Sequence, residues 1–156
     1  MSIIKDRINI ELGDTKRKIE YNEATVKNKL AYIQSTIGNP YSNDNIKMNR
    51  LLDDIIYLYE NSELLNSLRD KLNTDGEVVI LGIIMDKINT IREELVLLDT
   101  KIREKECDIL NITQMDEVNV YYLKENLDSK YLELDICRNK RKMAEDRINM
   151  LYYLIG

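Results

Sequence analysis

Residues 81–112 read LGIIMDKINTIREELVLLDTKIREKECDILNI, and the spacing of their apolar side chains decides the fold class. With Leu81 at heptad position a, the a positions are Leu81, Ile88, Leu95, Ile102 and Ile109. The d positions are then Ile84, Ile91, Leu98, Lys105 and Ile112, so the apolar steps alternate three and four with one charged interruption. A strand would place apolar residues at every second position, and that alternation is absent. A seam sustained this long predicts a helix lying lengthwise against another helix.

The flanking sequence predicts three more helices. The first begins after Ser2, a good N-cap, and runs to about Ile37 on the stripe Ile4, Ile8, Leu12, Ile19, Val26, Leu30, Ile33 and Ile37. Gly13-Asp14-Thr15 is a candidate kink, and Gly38-Asn39-Pro40 is a strong stop. Ser42, Asn43 and Asp44 offer caps for a second helix to about Asn73, on Met48, Leu51, Ile55, Leu58, Ser62, Leu65 and Leu72. Leu52, Ile56, Tyr59 and Leu68 widen that stripe enough for a helix packing on two neighbours. Asn73-Thr74-Asp75-Gly76 reads as a turn in which Thr74 or Asp75 caps the third helix.

The fourth helix is expected from about Gln114 to Ile155. Its a positions are Val120, Leu127, Leu134, Arg141, Ile148 and Ile155, and its d positions are Leu123, Lys130, Cys137, Ala144 and Leu151. This register is offset by four residues from that of the third helix, which calls either for a stutter in one very long helix or for a turn near 111–113, and the capping pair of Thr113 with Asp116 favours the turn. Short connections make sequential helices antiparallel. The expected fold is therefore all-α: four long amphipathic helices in an elongated antiparallel bundle or coiled-coil hairpins, a single domain over 1–156.

Composition supports this class. Apolar residues are 44 % and charged residues 33 %, with one proline and five glycines, which suits neither a disordered chain nor a fold of many short strands. The net charge of −5 and pI near 4.9 give no general attraction to nucleic acid or anionic lipid. The longest apolar run, Val78 to Met85, is too short to span a bilayer, and Lys5, Asp6 and Arg7 interrupt any secretory signal. Two lone cysteines, Cys107 and Cys137, fit a reducing cytoplasm. Abundant Ile, Asn, Lys and Tyr suggest an AT-rich coding sequence of the kind found in low-GC bacteria, their phages and some large DNA viruses.

Catalytic constellations are missing. With no histidine there is no Ser–His or Cys–His nucleophile pair, and the glycines are too scattered for a phosphate loop. Glu60 with Glu63 and Glu125 with Asp128 have the spacing of helical Mg²⁺ ligands, but the register turns all four outward. No metal, cofactor or small-molecule substrate is expected. The tyrosine doublets 121–122 and 152–153 should each place one ring inward and one at the surface.

Two candidate sites follow from the topology. One pole collects the start of helix one, the end of helix two, the start of helix three and the end of helix four. Its apolar excess suggests a homo-oligomer interface formed by Ile3, Ile4, Leu68, Leu72, Val78, Val79, Ile83, Leu151, Tyr152 and Leu154. Gly82 there would admit a close backbone approach. The second site is a basic band of Lys16, Arg17, Lys18, Arg138, Lys140, Arg141 and Lys142, a binder of phosphates or acidic partners unless Asp14, Glu20, Asp135, Glu145 and Asp146 pair with it internally. Lys105, Lys130 and Arg141 stand on seam positions, where a charge either fixes register or snorkels to solvent.

These features predict a non-enzymatic interaction protein, a self-assembling scaffold or adaptor whose partner is itself or another protein, with no membrane attachment. The alternative is a viral or mobile-element effector that binds and inhibits a host protein. A nucleic-acid-associated factor using the basic band is the third reading.

Overall fold

Ser2 starts the first helix as its hydroxyl suggests, with its Oγ accepting the Lys5 N–H at 3.3 Å and its carbonyl accepting the Asp6 N–H at 3.2 Å. The computed structural model describes residues 2–36, 44–114 and 118–156. Among these residues there are four helices and no strand: α1 (Ile3–Thr36), α2 (Asp44–Asp75), α3 (Glu77–Thr113) and α4 (Val120–Ile155). Gly13 does not interrupt α1, and Thr15 is buried against the core instead of capping a fresh helix. The expected stop at Gly38-Asn39-Pro40, the caps at Ser42 and Asn43 and the Asp116 half of the Thr113 pair lie outside the described residues.

One residue separates α2 from α3. Gly76 has φ +90°, a conformation that side chains with a Cβ rarely adopt. Its N–H reaches back to the Leu72 carbonyl at 3.2 Å, the single bond of a left-handed C-cap, and its own carbonyl accepts the Ile80 N–H at 3.4 Å. Glycine thus ends one helix and opens the next. Thr74 does not cap α3, because its hydroxyl donates to the Asp70 carbonyl within α2.

The start of α4 also differs from expectation. Asn119 caps it, with Oδ1 accepting the Tyr122 N–H at 3.1 Å and its carbonyl accepting the Leu123 N–H at 3.0 Å. Thr113 is instead the last residue of α3, with its hydroxyl turned back to the Leu110 carbonyl. A turn, not a stutter, therefore divides α3 from α4.

The chain divides into two compact units, Met1–Ile83 with Tyr153–Gly156, and Ile84–Tyr152. The first holds α1 packed on α2, with the opening turns of α3 and the last residues of α4. The seven residues between α1 and α2 can reach at most about 25 Å. That is half of the roughly 51 Å a 34-residue helix covers, so the pair is an antiparallel hairpin. Its core is Ile4, Ile8, Met48, Ile55, Leu58, Leu65, Leu68, Leu72, Ile80 and Leu154, with Thr15 and Asn61 as buried polar members. In the second unit α3 packs on α4, and the core is Ile84, Ile88, Ile91, Leu98, Ile109, Ile112, Leu134, Ala144, Ile148 and Leu151.

The α3 seam holds from Ile84 to Ile112 but not at its first expected position. Ile80 is fully buried and Leu81 is exposed, so the last step towards the N-terminus is four residues where three were expected. A straight α-helix drifts against a seven-residue repeat, and here the drift turns Ile80 inward. The glycines give a paired test. Gly76→Ala is expected to destabilise by about 1–2 kcal/mol through its backbone conformation. Gly82, exposed in α3 with open space where a Cβ would go, should stabilise by about 0.5–1 kcal/mol on substitution by Ala. Urea unfolding followed by circular dichroism measures both, and equal signs would contradict the assignment.

Candidate interaction surfaces

Charges occupy the middle of the α3–α4 seam. Arg141 donates from Nε to Asp99 Oδ1 at 2.5 Å and from Nη1 to Glu145 Oε2 at 2.6 Å. Lys105 Nζ donates to Glu133 Oε2 at 2.8 Å, and Lys130 Nζ lies 3.7 Å from the same oxygen and 3.9 Å from Asp108 Oδ2. Arg138 reaches Glu106 Oε1 at 3.2 Å. Along this series the α4 partners fall in number as the α3 partners rise, so the helices run antiparallel. The three seam charges are half-buried, each with its stem along the seam and its head on a carboxylate at the edge. The Lys105 hydrogen bond is the main reason the Glu133 carboxyl is held below its usual range, and the same bond holds the Lys105 ammonium above its own. Hydrogen bonding to Asp99, then to Glu145, likewise favours the charged Arg141.

The expected basic band is distributed over both units: Lys16, Arg17 and Lys18 belong to the first, and Arg138, Lys140, Arg141 and Lys142 to the second. Several members are engaged internally. Arg17 bonds Asp14, Arg138 bonds Glu106, and Arg141 bonds Asp99 and Glu145. Lys18 lies close enough to Glu11 to favour its ionised form, although burial and the Asp14 charge together raise that carboxyl. Lys16, Lys140 and Lys142 are exposed.

The pole assembles within the first unit, where the Ser2 hydroxyl donates to Glu77 Oε1 and ties the start of α1 to the start of α3. Half of the residues expected to form an oligomer interface are needed for the chain's own core. In the first unit Ile4, Leu68, Leu72 and Leu154 are buried, because apolar helix ends cover one another before any partner arrives, and Leu151 is buried in the second unit. Ile83 is half-buried, and Ile3, Val78 and Val79 remain exposed. The tyrosine doublets also depart from expectation. All four rings are exposed, because Leu123, Leu151 and Leu154 take the inward positions. Tyr152 and Tyr153 lie beneath guanidinium groups, Arg92 at 5.5 Å and Arg7 at 5.6 Å from the ring centroids, and Arg92 also donates to the Tyr152 hydroxyl.

A further surface lies along the α1–α2 hairpin. Leu52, Ile56 and Tyr59 fall at i, i+4 and i+7 on one face of α2 and are 41 %, 55 % and 48 % exposed. The Tyr59 hydroxyl donates to Glu23, so this face of α2 adjoins the Glu23 side of α1. The bond holds the Tyr59 proton, raising the phenol above its usual value. Two turns beyond Glu23 on the same side stands Leu30, 52 % exposed, level with Leu52 in the antiparallel hairpin. Four large apolar side chains thus line one open side. The signal was visible as the excess width of the α2 stripe, but the second neighbour it implied is absent from these residues.

Among the described residues no helix is long and apolar enough to cross a membrane, and no three potential ligand residues converge on a metal position. Glu60, Glu63, Glu125 and Asp128 are exposed, as the register placed them. Comparison with known proteins finds no family model, curated protein or solved structure that matches this chain.

The ionic seam has a pH signature. Glu133 carries a depressed folded pKa, so its contribution is present above the usual carboxyl value of 4.5 and disappears as pH falls through the lower folded value. Lys105 has the opposite sign: its contribution is complete below 10.5 and fades as pH rises through the raised folded value. Glu133→Gln should therefore melt below the wild type at neutral pH, and the two curves should converge in acid. A difference in melting temperature that persists unchanged into acid would show that Glu133 acts by packing.

Proposed function

We propose that this chain is a non-enzymatic interaction protein that works by presenting helix faces to another protein, as a scaffold or adaptor. The observation that carries this reading is the open side of the α1–α2 hairpin, where Leu30, Leu52, Ile56 and Tyr59 stand together in solvent. Isolated exposed leucines are ordinary on a protein surface, but a clustered stripe at helical spacing is the form in which helix-in-groove recognition is written. The groove between two antiparallel helices accepts apolar knobs from a third, and Tyr59 supplies an aromatic edge with a polar tip of the kind favoured at interfaces. The charged groups of the seam are spent on internal pairs with carboxylates, which suits structure more than chemistry.

The reading is tested with a photo-crosslinking residue placed at Ile56 and, as control, at Glu125, which is exposed on α4. In the protein's native cells, Ile56 is expected to yield a discrete protein adduct that Glu125 does not, and Leu52→Glu should abolish it. Equal, diffuse labelling at the two positions would remove the hairpin face as a docking surface.

A further inference from the structure

We infer that Arg7 is a latch: its guanidinium pins the end of α4 onto the first unit, and its release lets that end open while the rest of the unit stays folded. The first unit takes only Tyr153–Gly156 from α4. Those four residues nevertheless supply Leu154, a fully buried member of a core otherwise built by α1, α2 and the opening turns of α3. So short a segment has few contacts of its own, and its seating depends on what grips it from α1.

Arg7 grips it in three ways. Its guanidinium lies 5.6 Å from the centroid of the Tyr153 ring, a cation held by the negative face of an aromatic. The same charge stands at the carbonyl end of α4, where the helix dipole favours a cation and where the last turn has no basic residue of its own. Beyond the ring, Gly156 turns the chain at φ +86°, with its N–H donating to the Tyr153 carbonyl at 3.3 Å. A Cβ at that position would stand 2.7 Å from Arg7 Nη1, too close for both to stay in place. The guanidinium ends a flexible side chain, so it would be the group to give way, and it would leave the ring. Arg7, Tyr153 and Gly156 therefore form one fitted set, in which the glycine is needed for space as well as for its backbone. The half-buried Arg7 has no carboxylate partner among the described residues, so its charge is committed to the end of α4. When the set comes apart, Leu154 leaves the core, and a pole that is closed at rest gains apolar surface.

Amide hydrogen exchange of the full chain, read residue by residue by NMR in increasing sub-denaturing urea, tests the latch. In the wild type, exchange at Leu154, Ile155 and Gly156 is expected to depend only weakly on urea, because a small opening exposes little surface, whereas exchange at Leu65 should depend on it steeply. Arg7→Ala should speed exchange at the three α4 amides roughly four- to thirtyfold, the combined worth of an exposed cation–π contact and a helix-end charge, and leave its urea dependence weak. Arg7→Lys keeps the charge and loses the planar stack, so its effect should fall between the two. Gly156→Ala should speed exchange at Leu154 and Ile155 at least about threefold more in the wild-type background than in Arg7→Ala, where only backbone strain remains. Exchange at the three amides that follows Leu65 across the urea series would show that the end opens only when the unit unfolds, and would overturn the latch. So would an Arg7→Ala effect under twofold, an Arg7→Lys effect as large as that of Arg7→Ala, or equal Gly156→Ala effects in the two backgrounds.

Discussion

Two antiparallel helices can cover one stripe on each other and no more. An α-helix with an apolar face wider than about 100° must therefore find a second neighbour or leave part of that face in water. In α2 the core side, Met48, Ile55, Leu58 and Leu65, is spent on the fold, while Leu52, Ile56 and Tyr59 point to solvent beside it. Full burial of a Leu or Ile side chain is worth about 1.5–3 kcal/mol, so each half-exposed Leu30, Leu52 and Ile56 leaves roughly 1 kcal/mol unrealised. That shortfall is small against the core, yet its clustering makes it usable by one partner surface.

The α3–α4 hairpin solves a different problem. A purely apolar seam of near-identical Ile and Leu side chains would tolerate sliding by one heptad, because each shifted register again buries greasy side chains. Charges at Lys105, Lys130 and Arg141 remove that freedom: a slip of seven residues would separate them from Glu133, Asp108 and Asp99. Partly exposed ion pairs add little to stability, so their consequence is alignment. The apolar residues hold the helices together, and the ionic ones say where.

Much of this was legible in the sequence because helix periodicity is a local property. The α3 seam from Ile84 to Ile112, the cap at Ser2, the break at Gly76 and the half-exposed posture of Lys105 all follow from spacing and backbone chemistry. What was not legible depends on neighbours. Ile80 replaces Leu81 because helical drift accumulates against a partner whose position is a tertiary fact. Tyr121 and Tyr152 lie outside because Leu123 and Leu151 claim the inward positions, a competition that a heptad assignment alone does not rank. Asn119 caps α4 although Thr113 offered the more conventional signature, since Thr113 was already the end of α3.

The same distinction explains why the surface expected from the sequence and the surface found in the structure differ. Apolar excess at the helix ends looked like unsatisfied area. Four ends converge in one unit, however, and cover part of one another: Ile4, Leu68, Leu72 and Leu154 end in the interior, while Ile3, Val78, Val79 and Leu81 stay outside. Midway along the α1–α2 hairpin Leu52, Ile56 and Tyr59 face solvent, so an unremarkable density of leucine and isoleucine there still leaves apolar side chains uncovered. Exposure is set by how many helices meet at a given level, and composition reports only what they bring.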